Sequence, residues 1–191
     1  STWTKQAPAA NPPARFGAAM AYDKATGTIV LFAGEGSRHP YLSDTWTWDG
    51  STWTKQHPAA HPPGRNRAAM AYDAATGTVV LFGGYGRSGL MSGTWTWDGL
   101  TWTKQAPATR PSASGSMAYD AATGTIVLFG DDGSTWTWDG STWTRQAPPA
   151  SPPGRSGASM AYDAAARNVV LFGGRAGSTW VGDTWTWGSS G

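Results

Sequence analysis

The stretch GRNRAAMAYDAATGTVVLFGGYGRSGLMSGTWTWDGLTWTKQ, Gly64–Gln105, carries four short strand signals in succession. Thr78–Phe82 is TVVLF, an apolar run rich in β-branched residues and bounded by glycines. Thr94–Trp97 alternates Thr and Trp, so its two indoles share one face of a period-two strand. Both residue types favour strands. Thr101–Gln105 (TWTKQ) follows Asp98-Gly99, a dipeptide suited to a hairpin because both positions tolerate positive φ. Residues 68–72, AAMAY, contain the helix formers Ala and Met, but their brevity and flanking turns make them a strand too. In chain order these strands are a, b, c and d.

The same unit recurs along the chain. MAYD starts at Met20, Met70, Met117 and Met160, and TWTW has its first Trp at Trp46, Trp95, Trp136 and Trp185. The strand d motif has its Trp at Trp3, Trp53, Trp102 and Trp143. Thr-Gly at Gly27, Gly77 and Gly124 turns strand a into strand b, and in the last copy Arg167-Asn168 replaces it, with Asn expected to take the left-handed conformation. No segment keeps a helical period. Four antiparallel strands per unit, in units of roughly 40–50 residues, predict blades of a β-propeller. The repeat units fall at 15–56, 65–105, 112–146 and 155–187 plus 1–6, and residues 1–191 read as a single domain.

The composition fits an all-β protein with a real core. With 13 Trp and only 14% charged residues, the chain is unlike a disordered one. The net charge is +2 and Lys and Arg form no stripe, which argues against nucleic-acid binding. No apolar run nears the roughly 20 residues of a membrane helix, so no membrane partner is expected. The absence of Cys removes disulfides and thiolate chemistry. The Thr-, Gly- and Trp-rich, Lys-poor surface suggests an exported bacterial protein.

A small-residue strand preceded by Arg (Arg15, Arg65, Arg155), a second strand ending in Gly-Gly (Gly83-Gly84, Gly173-Gly174) and a later aromatic-Asp turn followed by Trp resemble kelch repeats. The first copy has Ala33-Gly34 and the third Gly130-Asp131, and the third places Ser112 where the others carry Arg. The resemblance implies a kelch-like propeller of four four-stranded blades. It does not imply an activity, because such propellers include enzymes, adaptors and carbohydrate binders. The copper oxidase chemistry found in the family needs a Tyr joined to Cys, and this chain has no Cys.

The copies are out of phase with the ends: Thr2–Lys5 reads as a strand d, and Thr184–Trp187 as a strand c. Pairing of the first strand with the last blade would close a ring and remove an open edge. One chain could close a four-bladed ring by itself, or two chains could exchange first strands and form eight blades. Small residues on strand a (Gly17, Ala18, Ala19, Ala21) and three Trp per blade suit a small ring, which favours the monomer.

In this order the a–b and c–d turns share one face, short and nearly invariant. The b–c loops and the proline-rich d–a passages share the other face, and the b–c loops vary most. Function collects in loops held by a rigid scaffold. The ligand-binding candidates are therefore Arg15, Arg65, Arg155, His39, Tyr41, Tyr85, Arg87 and Trp180. The arginines could hold a carboxylate or sulfate, or donate to loop carbonyls of the neighbouring blade. Trp180, outside the repeated register, could stack on a sugar or cover its own blade. The Asp after each MAY reads as a turn cap. His57 and His61 are spaced like metal ligands but sit in a proline-rich passage, not on a helix.

No converging catalytic set is legible. The expectation is a non-catalytic binding or interaction scaffold without metal or cofactor, its ligand unidentified, with carbohydrate and peptide both open. A purely structural protein, born of duplication or engineering, is one alternative, and a fragment of a larger propeller is another.

Overall fold

The computed structural model describes residues 1–38 and 40–188. Among them there is no helix, and every strand pairing is antiparallel. The four repeats form four sheets, three in the order a-b-c-d and the last in the order a-b-c. Blade one comprises Ala19–Asp23, Thr28–Phe32, Thr45–Trp48 and Trp53–Gln56. Blade two comprises Ala69–Asp73, Thr78–Phe82, Thr94–Trp97 and Trp102–Gln105. Blade three comprises Gly115–Asp120, Thr125–Gly130, Thr135–Trp138 and Trp143–Gln146. Blade four has three strands, Ser159–Asp163, Asn168–Phe172 and Thr184–Trp187. The expected four-bladed propeller arrangement is present, with each Trp of TWTW aligned on strand b.

The turns follow from side-chain chemistry. Asp23, Asp73, Asp120 and Asp163 each accept the amide two residues on, which sets the a–b turn. In the last copy the left-handed residue is Arg167, at φ 56°, and not Asn168. Arg167 occupies the position of Gly27, Gly77 and Gly124, so the backbone demand passed to whatever residue stood there. In the Asp-Gly turns only the glycine takes positive φ. The aspartates instead accept amides of the next residues, as Asp49 does from Ser51 and Thr52.

Period-two alternation gives every blade two unlike faces. In blade one, Met20, Tyr22, Leu31, Trp46, Trp48 and Trp53 lie on one face, and Ala19, Ala21, Val30, Phe32 and Thr45 on the other. The Thr and Phe face of one blade packs against the Trp face of the next. Phe32 meets Trp102 at 5.2 Å and Phe82 meets Trp143 at 5.3 Å between ring centroids. The joints between blades one and two and between blades two and three each carry one buried hydrogen bond, Trp102 Nε1 to Thr45 Oγ1 at 2.9 Å and Trp143 Nε1 to Thr94 Oγ1 at 2.8 Å. The core thus consists of blade-to-blade layers. The repeated tryptophans of the inner joints, Trp97, Trp102, Trp138 and Trp143, are buried.

The ends differ from expectation. Ser1–Gln6 forms no strand, Trp3 is fully exposed, and Thr184–Trp187 pairs only with strand b. The pairing of Thr2–Lys5 with the last blade is therefore not made within the chain. Among the described residues no shared core joins blade four to blade one. The Phe of the joint is 0% exposed at Phe32 and Phe82 and 4% at Phe129, but 53% at Phe172.

Candidate functional site

The b–c loops and d–a passages meet on one face. Gly34 donates its amide to the Arg65 carbonyl, and Asn66 and Tyr85 exchange backbone bonds. Short ladders at Arg15–Phe16 with Glu35–Gly36, Tyr85–Gly86 with Gly89–Leu90, and Arg175–Ala176 with Thr179–Trp180 stiffen these loops. The three arginines do not reach out from this face. Each folds back onto its own blade: Arg15 donates to the Ala33 carbonyl, Arg65 to Gly83 and Arg155 to Gly173. The alternative of bonding to the neighbouring blade is thus corrected. The acceptor is the carbonyl of the residue that follows strand b of the same repeat. Each guanidinium also donates to a proline carbonyl two residues earlier.

Two of the arginines are neutralised. Arg15 forms a bidentate pair with Asp44 at 2.7 and 2.8 Å, and the same carboxylate accepts Trp46 Nε1 at 2.7 Å. Burial alone would raise the Asp44 pKa, but the donations from Arg15 and Trp46 hold it below the ordinary value. Blade four repeats the arrangement with Arg155, Asp183 and Trp185. Arg155 and Trp185 together hold Asp183 far below the usual carboxylate range. Blade three has neither charge: Ser112 and Ser134 replace them, and Trp136 Nε1 donates to Ser134 Oγ.

Blade two has one charge without the other. Gly93 stands where blades one and four carry Asp44 and Asp183. Arg65, 1% exposed, has no carboxylate partner among the described residues, and Trp95 Nε1 has no acceptor. Loss of water pulls the Arg65 pKa down to about 10, so the guanidinium keeps its charge at neutral pH. Lys104 stands directly across from Trp95 in the strand pairing and is exposed. This corner offers three donors of positive or partly positive character.

Nearer the axis, Asn66 Nδ2 donates to Glu35 at 2.9 Å. Arg67 adopts φ 52° and donates its amide to the Gly17 carbonyl, at a position where blades one and four have Gly17 and Gly157. Asp131 is pushed up to about 6 by burial and by the charge of Asp132, against the pull of Arg67. Asp132 accepts from Ser134 and Ser112, and these bonds outweigh its burial and keep its pKa low.

Tyr41 and Arg87 come together, lining a groove with Pro40, Pro63, Gly64 and Met91 between the loops of blades one and two. Tyr85 is exposed at the start of its ladder and does not line this groove. Trp180 is 80% exposed, so it does not cover its blade, and the Arg175 guanidinium lies 5.9 Å from its ring centroid. Its place is not unique. The residues after Tyr41, Leu90 and Trp180 all donate to the second residue of the Gly-Gly pair, making the three positions equivalent. His39 lies outside the described residues. His57 and His61 border a shallow groove with Asp44, and no group of three or more metal-binding side chains occurs among the described residues.

No protein-family model matches this chain, and no curated protein matches it. The Arg–Asp pairing was missed in the sequence although a signal existed. Arg and Asp occur together in copies one and four, both are missing in copy three, and only copy two breaks the rule.

Proposed function

We propose that this chain is a kelch-like propeller acting as a non-catalytic binding module. Blade two takes a carboxylate-bearing carbohydrate at Arg65 and Trp95. The kelch reading is supported by a tie between two of the features that carry the resemblance: in three repeats the leading Arg donates to the carbonyl of the residue that follows strand b. The observation that carries the binding reading is the buried, charged Arg65. Its counterparts share a carboxylate with the Trp of strand c, whereas Gly93 leaves Arg65 and Trp95 without one. A buried unpaired charge is costly, and a ligand carboxylate would supply the missing charge-assisted bonds. Exposed aromatic rings on the same loop face, led by Trp180, offer surfaces for sugar rings.

The test is an NMR titration of the Trp95 indole N–H with a uronic-acid oligosaccharide, its neutral counterpart and an acidic peptide. Saturable movement with the acidic sugar alone, lost in Gly93→Asp, is the expected result. A response to the acidic peptide alone would replace the sugar with a peptide ligand. No response to any probe at millimolar concentration, the weak end of specific affinity, would overturn the reading.

A further inference from the structure

We propose that two copies of this chain close one ring by exchanging their first strands: Thr2–Gln6 of each copy adds to Thr184–Trp187 of the other. Ser1–Gln6 reads STWTKQ, identical to Ser51–Gln56, which supplies the outer strand of blade one. Gln6 precedes Ala19 by the same interval that separates Gln56 from Ala69 and Gln146 from Ser159. The first strand therefore belongs to whichever blade packs on the Trp face of blade one. Blade four of the same chain is not that neighbour, because among the described residues it shares no core with blade one.

Blade four is built to receive the strand. An open pocket beside its outer edge is lined by Val127, Phe129, Thr135, Val169, Leu171 and Trp187. In the complete joints the Trp of strand d touches a Phe and a Thr of the preceding blade and a Trp of its own. Trp102 does so with Phe32 at 5.2 Å, Thr45 at 2.9 Å and Trp97 at 5.3 Å. Phe129, Thr135 and Trp187 are the equivalents in the pocket, so Trp3 is the side chain that fits. Thr135 is buried, and among the described residues its hydroxyl accepts no tryptophan bond.

The remaining surfaces match as well. Blade one exposes its Trp face, with Met20 and Tyr22 open and Trp48 and Trp53 half-buried. Blade four exposes the opposite kind of face, with Phe172, Thr184 and Thr186 open. These are the two halves of the joint seen between neighbouring blades, and Trp53 would donate to Thr184 as Trp102 does to Thr45. Two arcs of four blades give eight, the top of the usual range of about 4–8. A twofold axis would relate the two equal joints, and closure would cover both open edges.

The chain has no cysteine, so a designed pair reports cleanly. Thr47 pairs with Thr54 in blade one, which places Thr4 of one copy opposite Thr186 of the other. The variant Thr4→Cys with Thr186→Cys, oxidised as the folded 191-residue chain, is expected to run as a covalent dimer on a non-reducing denaturing gel. Trp3→Ala is expected to weaken association by at least about a hundredfold. A disulfide formed within one chain, a ladder of higher multiples, or no disulfide would each overturn the two-copy ring. Should the Trp3→Ala chain misfold, the cross-link alone decides.

Discussion

Replacing Gly93 with Asp should stabilise the protein and abolish carboxylate binding together. A Cβ at Gly93 would meet only Trp95 within 4 Å, Nε1 at 3.4 Å and Cδ1 at 3.8 Å, so the new side chain has room. Gly93 is not at positive φ, and the loss of glycine freedom alone adds about 0.4–1 kcal/mol. The new carboxylate would join Arg65 to Trp95 as Asp183 joins Arg155 to Trp185. Bonds to a charged group contribute about 1.5–3 kcal/mol, less the cost of burying the new charge. A net gain of about 2 kcal/mol corresponds to roughly 4–8 °C in Tm for a chain of this size. The gain has a pH signature. A carboxylate held below its unfolded pKa stabilises above that value and loses the effect as acid protonates it. Calorimetry of wild type, Gly93→Asp and Gly93→Asn at pH 7 and pH 3 separates the terms. A gain equal in both variants, or unchanged at pH 3, would show that Arg65 does not seek a carboxylate.

Other perturbations probe separate parts of the account. Asp131→Asn should raise Tm more at pH 7 than at pH 4. The native Asp131 pKa of about 6 lies above its ordinary value of 3.8, so its cost to stability sets in between the two as pH rises; equal gains at both pH values would contradict this. Thr94→Val leaves the buried Trp143 Nε1 without its acceptor and should cost about 1–3 kcal/mol in denaturant unfolding. A neutral result would mean that the hydrogen bond does not hold the joint. Asp44→Asn should flatten the acid limb of the stability curve, because wild-type Asp44 contributes above the ordinary carboxylate pKa and loses that contribution as pH falls. An unchanged limb would remove the Arg15 pair from the reasoning.

The blades were legible because the local signals agreed. β-branched runs, Thr–Trp alternation and Asp-Gly turns all marked the same strands, including AMAYD against its helical propensity. The two-residue loop ladders were not legible, since Tyr85–Gly86 and Arg175–Ala176 carry no strand pattern of their own. The arginines could be read as ligand-facing or as donors to loop carbonyls of the neighbouring blade, because nothing adjacent in sequence marks their acceptors. Their burial depends on carbonyls eighteen residues away and on Asp44 and Asp183, further still. The corner at Gly93 emerges only when these networks are compared blade by blade. The mismatched ends were legible, but not whether the missing partner strand comes from the same chain or from a second copy. Identical strands pair equally well within or between chains, and only the geometry of the arc separates blade four from blade one.

The central claim is that the Trp face of blade one and the Thr and Phe face of blade four are halves of one joint made between copies. Sedimentation equilibrium of the wild-type chain tests it directly. The account predicts twice the 20.0 kDa of one chain over a broad concentration range. A mass of 20.0 kDa throughout, with Trp3 as exposed as in the single chain, would contradict it.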